Sequence, residues 1–289
     1  MRYYVFNFKD DFREKVIKKF ASGYLRGQTP NPCIDCNRYM KFDKLLERAK
    51  LLGCDKLATG HYARIEFDGE KYRLKKALDK SKDQSYVLYM LTQEQLAHTL
   101  FPLGSLHKTD TRAIADAADL SSARKPDSQD ICFVPDGDYA AAIERLTGIK
   151  APCGDFIDAS SKILGTHRGI THYTVGQHRG LGLSLPERRY VCGIDAESGT
   201  VTIGGSDELY SSTAEVRDFN WISGEAPSEP IRCTAKIRYR QPEQPATAIA
   251  HKGGSITIQF DSPQRAVTPG QAAVLCDGNT VLGGGEIVK

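Results

Sequence analysis

No stretch of this chain is apolar for the roughly 18 residues a membrane-spanning helix needs. The N-terminal Met-Arg-Tyr-Tyr-Val lacks the apolar core of a secretory leader. A cytoplasmic protein without a membrane association is therefore expected. Charge of one sign is also scarce: 39 Lys and Arg face 36 Asp and Glu, a net +3. That balance permits a nucleic-acid partner without arguing for one, and any basic face must be local. Internal repeats and low-complexity tracts are absent. So is a second C-x-x-C to complete the one at Cys33 and Cys36. The seven histidines (61, 98, 107, 167, 172, 178, 251) have no zinc-ligand spacing, and no metal site is expected. The remaining composition, 40% hydrophobic and 26% charged over 289 residues, is that of an ordinary globular protein of about two domains, or three small ones.

Eight cysteines are present, at 33, 36, 54, 132, 153, 192, 233 and 276. The chain is long and carries no export signal, so reduced thiols are expected rather than a disulfide framework. Cys54, Cys192, Cys233 and Cys276 read as small core residues, and Cys153 stays unassigned. Cys33 and Cys36 stand in Thr29-Pro-Asn-Pro-Cys-Ile-Asp-Cys-Asn37. Pro30 and Pro32 predict a stiff, irregular loop carrying both thiols. Phe42, Leu45, Leu46, Ala49 and Leu52 then form the apolar stripe of a helix. Cys36 falls just upstream of that helix start, where unpaired N–H groups and the dipole favour a thiolate. From these residues alone, half a zinc site, a dithiol redox pair and a structural pair all stay open. Cys132, between Ile131 and Phe133 and after the polar run 127–130, reads on its own as a buried structural cysteine.

Along the chain, residues 1–10 look strand-like, with Asp10 and Asp11 as a helix cap. Phe12, Val16, Ile17 and Phe20 give helical spacing that ends at Gly23 or Gly27. Asp55–Thr59 reads as a short buried strand entering Gly60-His61-Tyr62. Helix, strand and a terminal glycine are α/β grammar, with ligands expected at the carboxyl end. Ala63–Ala77 looks like a hairpin around Asp68-Gly69. Helical segments follow to about Leu120, with another over Asp138–Leu146. From about Ala151 the pattern turns β-rich: Tyr190–Ile194, Val201–Ile203, Ala214–Trp221, Arg232–Arg240, Ile256–Phe260, Ala272–Cys276 and Thr280–Val288. The expected divisions are 1–147, 148–208 and 209–289. On a strand, Arg238 and Arg240 would share one face with Tyr239 opposite, able to clamp phosphate or stack on a base; a solvated strand face is the plainer reading.

Taken together, several blocks resemble the tRNA-specific 2-thiouridylases. They are residues 29–37 with Lys41-Phe42, Ala58-Thr-Gly-His-Tyr-Ala63, Lys82-Asp-Gln-Ser-Tyr86 and Lys125-Pro-Asp-Ser-Gln-Asp-Ile-Cys-Phe133. Tyr173-Thr-Val-Gly-Gln-His-Arg-Gly180, Lys236-Ile-Arg-Tyr-Arg-Gln241, Val267-Thr-Pro-Gly-Gln271 and Gly283-Gly-Gly285 continue the match over nearly the whole chain. The resemblance implies an α/β plus β fold: a partial adenine-nucleotide-hydrolase-like (Rossmann-like) domain, a small central β-rich domain and a C-terminal β-barrel. It implies ATP-dependent adenylation of the wobble uridine O2 in tRNA, with Mg2+ accompanying the ATP. A cysteine persulfide, loaded by a sulfur-donor protein, then supplies the sulfur.

Residue by residue, Cys132 matches the persulfide cysteine. Cys36 matches the nucleophile, which can form a transient disulfide with Cys132. Asn31, Pro32 and Cys33 match the segment facing the target base, and Gly60 an ATP contact. His61, Lys82, Asp83, Gln84, Arg238, Tyr239 and Gln271 match tRNA contacts. On this reading, neutralising Arg238 weakens tRNA binding and flattens its salt dependence. The family's Ser-Gly-Gly-x-Asp-Ser pyrophosphate loop does not occur in this sequence. A chain lacking that segment is expected, with an exposed sheet edge. The alternative is a non-catalytic tRNA-binding remnant or half of a split enzyme.

Overall fold

The computed structural model describes residues 3–121, 123, 124 and 131–289. The polar run 127–130, and with it the 125–130 part of the motif ending at Phe133, lies outside the described residues. The chain begins irregularly. Residues 3–8 form no strand, because no described strand lies beside them to accept their backbone groups; Tyr3 is 88% and Val5 80% exposed. Helix starts instead at Lys9, with Asp10 and Asp11 in the first turn, and runs to Leu25 through Lys9–Phe12, a π-type Arg13–Ile17 and Lys18–Leu25. It buries Val16, Phe20, Ala21 and Tyr24, and Gly27 follows at φ +72.

The second helical run starts earlier than the two prolines suggested. It comprises Pro32–Asp35, a π-type Cys36–Leu45 and Leu46–Leu51. Asn31 is its N-cap, its Oδ1 accepting from the Cys33 N–H at 3.1 Å. Pro32 occupies the first helical position, where a missing N–H costs nothing. The prolines thus set the helix start rather than forbid helix. Cys33 and Cys36 lie inside the run, not on a loop before it. Phe42 and Leu46 are buried as the stripe requires, whereas Leu52 is 43% exposed in the closing turn. Cys54 follows Gly53 (φ +76) on the outside of that turn and is exposed, not a core residue.

Strands β1 (Leu57–Ala58), β2 (Ala63–Phe67), β3 (Tyr72–Lys76) and β4 (Thr99–Leu100) come next. β1 and β4 pair in parallel, and among the described residues that sheet has only two strands. β2 and β3 form the expected hairpin, its turn held by Asp68 Oδ1 accepting from the Glu70 and Lys71 N–H groups. Helices Gln93–Ala97, Lys108–Ala117 and Tyr139–Thr147 follow. A four-stranded sheet, β5 (Gly154–Ile157), β6 (Ile163–His167), β7 (Tyr190–Asp195) and β8 (Thr200–Gly204), wraps Phe156, Tyr173, Val191, Val201 and Ile203.

The last six strands are β9 (Tyr210–Trp221), β10 (Ile231–Lys236), β11 (Gln244–Ala250), β12 (Ile256–Arg265), β13 (Ala272–Asp277) and β14 (Thr280–Ile287). They close into a barrel through the β13–β14 pairing. Alternate residues fill it: Ala214 and Val216, Ala246 and Ala248, Ile256, Ile258 and Phe260, the period of two that one buried face demands. Strands β4, β5, β6 and β11 escaped the sequence reading; β11 carries Pro245 and three alanines, all poor strand formers. β10 ends at Lys236, so Arg238 and Arg240 share no strand face. A turn closed by the Gln241 N–H on Arg238 O (3.2 Å) intervenes, and Pro242 cannot donate to a ladder.

The barrel and the N-terminal segment share one core. Ile34, Phe42, Tyr86, Leu88 and Leu91 pack with Val274, Cys276 and Val281. Tyr86 Oη donates to Ala272 O at 2.8 Å, and Asn220 Nδ2 to Tyr89 O at 2.7 Å. Hairpin β2–β3 extends the barrel sheet by pairing Lys75 with Thr280. The second helical run is thereby fixed against the barrel.

Candidate active site

Cys36 is half-buried on the π-type part of the second run; Cys132 is exposed, and both thiols are free. Burial, the largest cause, pushes the Cys36 thiol above its ordinary range. Lys41 opposes that push, and the Cys132 and Asp35 charges add to it. The first helical run, joined to the second by Lys19 Nζ and Asp35 Oδ1 at 2.7 Å, carries Cys132 towards it. The residues flanking Cys132 explain how. Phe133 packs edge-on against Phe20 at 5.3 Å and Phe12 at 5.9 Å, and Ile131 packs against the same cluster. Cys132 is thus pinned on both sides over the first helical run while its own thiol faces solvent.

The segment before Cys33 is clamped by the barrel. The Thr29 N–H donates to Pro269 O at 2.8 Å, and Gln271 Nε2 donates to Thr29 O at 2.6 Å. Between them, Gly270 sits at φ +88, and a Cβ there would meet Thr29 N at 2.8 Å. Asp35, nearly inaccessible, receives Lys19 Nζ at 2.7 Å, which offsets part of its burial; its carboxyl is still pushed up, by desolvation above all.

A second group gathers beside Cys33. Tyr239 is 40% exposed; its Oη donates to Asp83 O at 3.4 Å and its ring meets Tyr86 at 5.8 Å. Lys236 Nζ lies 5.8 Å from both ring centroids. Burial, then the Asp83 and Cys33 charges, push the Tyr239 hydroxyl up, while Arg240 and Lys82 pull it down. Cys33, Lys82, Asp83, Tyr239 and Arg240 therefore share one surface region. Asp83 and Gln84 are engaged within the chain: Asp83 accepts from Ala77 N (2.8 Å) and Ser85 Oγ (2.7 Å), and Gln84 Oε1 from Tyr62 N (3.0 Å).

Two residues expected at a surface face inward. Arg238 donates through Nη2 to Val175 O (2.9 Å), Ala266 O (3.2 Å) and Thr268 Oγ1 (2.5 Å), bridging the segment between β6 and β7 and the end of the barrel after β12. His61 is 7% exposed, wedged between Phe42 and Phe101 with ring centroids 5.7 Å from each. Burial first, then Lys41, lower its pKa to about 4, so it is neutral at physiological pH. Gly60, one residue before it, is exposed at the carboxyl end of β1, and a Cβ there would meet only Leu103 Cδ1, at 3.7 Å. Gly60 offers an open backbone contact for a nucleotide. It does not make a phosphate cradle, and the sequence holds no glycine-rich pyrophosphate loop.

Comparison with known proteins bears on this arrangement. Residues 1–136 match the tRNA methyl transferase HUP domain, 145–205 the tRNA methyl transferase PRC-barrel domain, and 211–287 the aminomethyltransferase beta-barrel domain. A tRNA-specific 2-thiouridylase MnmA of Acetivibrio thermocellus is 50% identical over 287 residues, 99% of this chain and 80% of that protein. The chain belongs to the tRNA-specific 2-thiouridylase family. Similar 2-thiouridylases occur in Thermoanaerobacter sp. (strain X514), 49% identical over 100% of this chain and 80% of its own, and in Geotalea uraniireducens, 48% identical over 99% and 76%.

Within a 2-thiouridylase, the residues that sequence reasoning passed over are those that hold others in place. Pro269 and Gly270 grip the segment before the helix, yet as a Thr-Pro-Gly turn they carried no sign of a partner more than 200 residues away. Lys41 was visible only as half of a Lys-Phe pair. Its Nζ lies 3.4 Å from His61 Nε2, on the same helical face as Cys36.

Proposed function

We propose that this chain is a tRNA-uridine 2-sulfurtransferase that replaces O2 of the wobble uridine with sulfur. One observation carries the reading: Phe133 pins the exposed Cys132 against the first helical run, which Lys19 joins at 2.7 Å to Asp35, the neighbour of Cys36. Similarity over nearly the whole of this chain to named 2-thiouridylases, of which it spans 80%, supports an enzyme over the binding-remnant alternative. ATP with Mg2+ activates the uridine oxygen as a leaving group in this reading. Gly60 is the residue here suited to contact the nucleotide; no residue is assigned to its phosphates.

The chain's own part is sulfur handling and base positioning. A sulfur-donor protein in the cytoplasm loads Cys132 as a persulfide, its exposure giving access and its apolar flanks, Ile131 and Phe133, holding the position. The terminal sulfur bonds to C2 of the base as the activated C2–O2 bond breaks and O2 leaves with its electron pair as part of AMP. Cys36, as thiolate, then attacks the Cys132 sulfur: the sulfur–sulfur bond breaks, its electron pair leaves with the transferred atom, and a Cys36–Cys132 disulfide forms. A dithiol reductant restores both thiols. Asn31, Pro32 and Cys33, at the capped start of the helix, face the unstacked uridine. Lys82, Tyr239 and Arg240 lie along the tRNA beside Cys33. Asp83, Gln84, Gln271, Arg238 and His61 shape that face from within.

The test is thiouridine formation in unmodified tRNA with ATP, Mg2+ and a cysteine desulfurase donor. Cys132→Ser abolishes both persulfide labelling and thiouridine. Cys36→Ser keeps the label on Cys132 and loses thiouridine. Wild-type labelling in Cys132→Ser would move the persulfide to another cysteine, and absence of thiouridine from the wild-type chain would overturn the reading.

A further inference from the structure

Three features around Cys36 converge on one side chain. The first is the helix itself. Cys36 and Lys41 are five residues apart, which in an α-helix of about 3.6 residues per turn puts them on opposing sides. Residues Cys36–Leu45 are π-type, with bonds running i→i+5, and this widening carries Lys41 round to the Cys36 face. Widened turns of this kind cost hydrogen-bond quality and recur at functional positions.

The second feature is the anchor. An ammonium has only donors, so with Lys41 Nζ at 3.4 Å the His61 Nε2 acts as acceptor. The proton then sits on Nδ1 and is donated to Thr59 Oγ1 at 2.7 Å. Phe42 and Phe101 fix the ring from its sides. A buried, neutral histidine with a defined tautomer is a rigid acceptor, and it restrains an otherwise mobile lysine. Among the described residues no carboxylate lies within ion-pair distance of Lys41.

The third is the charge balance at the sulfur. Asp35 and Cys132 disfavour ionisation of Cys36, and Lys19 compensates Asp35 through their 2.7 Å contact. Lys41 is the cation that favours ionisation.

We propose that Lys41, held by His61, is a positioning residue that readies the Cys36 sulfur to attack Cys132. In that step the Cys36 proton passes to water, and Lys41 stays protonated and faces the anion formed. The inference rests on the sulfur-transfer reading for its purpose, but its test needs no turnover.

The test is residue-resolved alkylation by iodoacetamide across pH, read by peptide mass spectrometry on the whole chain. Lys41→Met raises the midpoint for Cys36 by about one unit and slows its alkylation near neutral pH about tenfold. Lys41→Arg keeps the rate within about twofold of wild type, because the cation is retained. His61→Phe, which removes the acceptor, moves the midpoint in the same direction as Lys41→Met. Cys33, one turn away, keeps its profile in all three variants. An unmoved Cys36 midpoint in Lys41→Met, an equal shift in Lys41→Arg, or a parallel shift at Cys33 would overturn the proposal. If the chain made no thiouridine while these shifts were seen, the functional reading would fail and the Lys41–Cys36 coupling would stand.

Discussion

The thiols at Cys36 and Cys132 are held in opposite ways. Cys132 is exposed between two partly buried neighbours; Cys36 is half-buried, with a lysine to counter the desolvation. His61 supports that lysine and brings a pH liability. Its pKa of about 4 lies below the ordinary value near 6.5, so on acidification the unfolded chain takes up the proton first. The stabilisation from keeping it neutral is fully present above about pH 6.5 and is lost as pH falls towards 4, amounting to about 3 kcal/mol across that window. Urea unfolding at pH 7 and pH 4.5 is expected to show this loss in the wild type and a flatter dependence in His61→Gln. Equal slopes in both proteins would mean that other groups dominate.

At the level of elements, the decisive piece is the second helical run and the barrel turn that grips its approach. Gly270 is the tightest point. Its φ of +88 strains any side chain, and a Cβ would come within 2.8 Å of Thr29 N and 2.9 Å of Gln28 Cβ. Gly270→Ala is expected to cost about 1–3 kcal/mol and to displace residues 28–31 from the barrel. Faster hydrogen exchange at the Thr29 amide, which donates to Pro269 O, is the direct readout, with a loss of thiouridine formation larger than the fall in Tm explains. Protection at Thr29 equal to wild type would show that the turn moves and the helix approach does not.

For the whole molecule, Arg238 is the joint. One guanidinium nitrogen bonds the central segment at Val175 and the barrel at Ala266 and Thr268. Burial also lowers its pKa, as expected of a cation held among carbonyls rather than phosphates. Arg238→Met is expected to cost about 2–3 kcal/mol of stability and to leave the slope of log Kd for tRNA against log salt nearly unchanged, whereas Arg240→Met lowers that slope by about one phosphate contact. A slope change in Arg238→Met as large as in Arg240→Met would restore the surface role that the sequence suggested.

Much of the fold was legible because it is local. Alternation marked β9, β12, β13 and β14, Asp68-Gly69 marked the hairpin, and the Phe42–Leu46 stripe marked the second helix. The family blocks named Cys36 and Cys132 from residue identity alone. The helix start was misread because a proline disfavours a helix interior but suits its first position, and only Asn31 Oδ1 on the Cys33 amide decides between the two. Arg238 and His61 were legible as polar residues in motifs, but not as inward-facing ones, since that depends on the elements packed against them. By itself, the sequence determined which faces must be covered and, through the family blocks, nominated the residues proposed to carry chemistry. The tertiary structure alone decided which segments meet: Phe133 against the first helical run, the Gln271–Thr29 clamp and the Lys41–His61 contact. These are through-space interactions between segments far apart along the chain, and their strength falls with distances that only the packed fold sets.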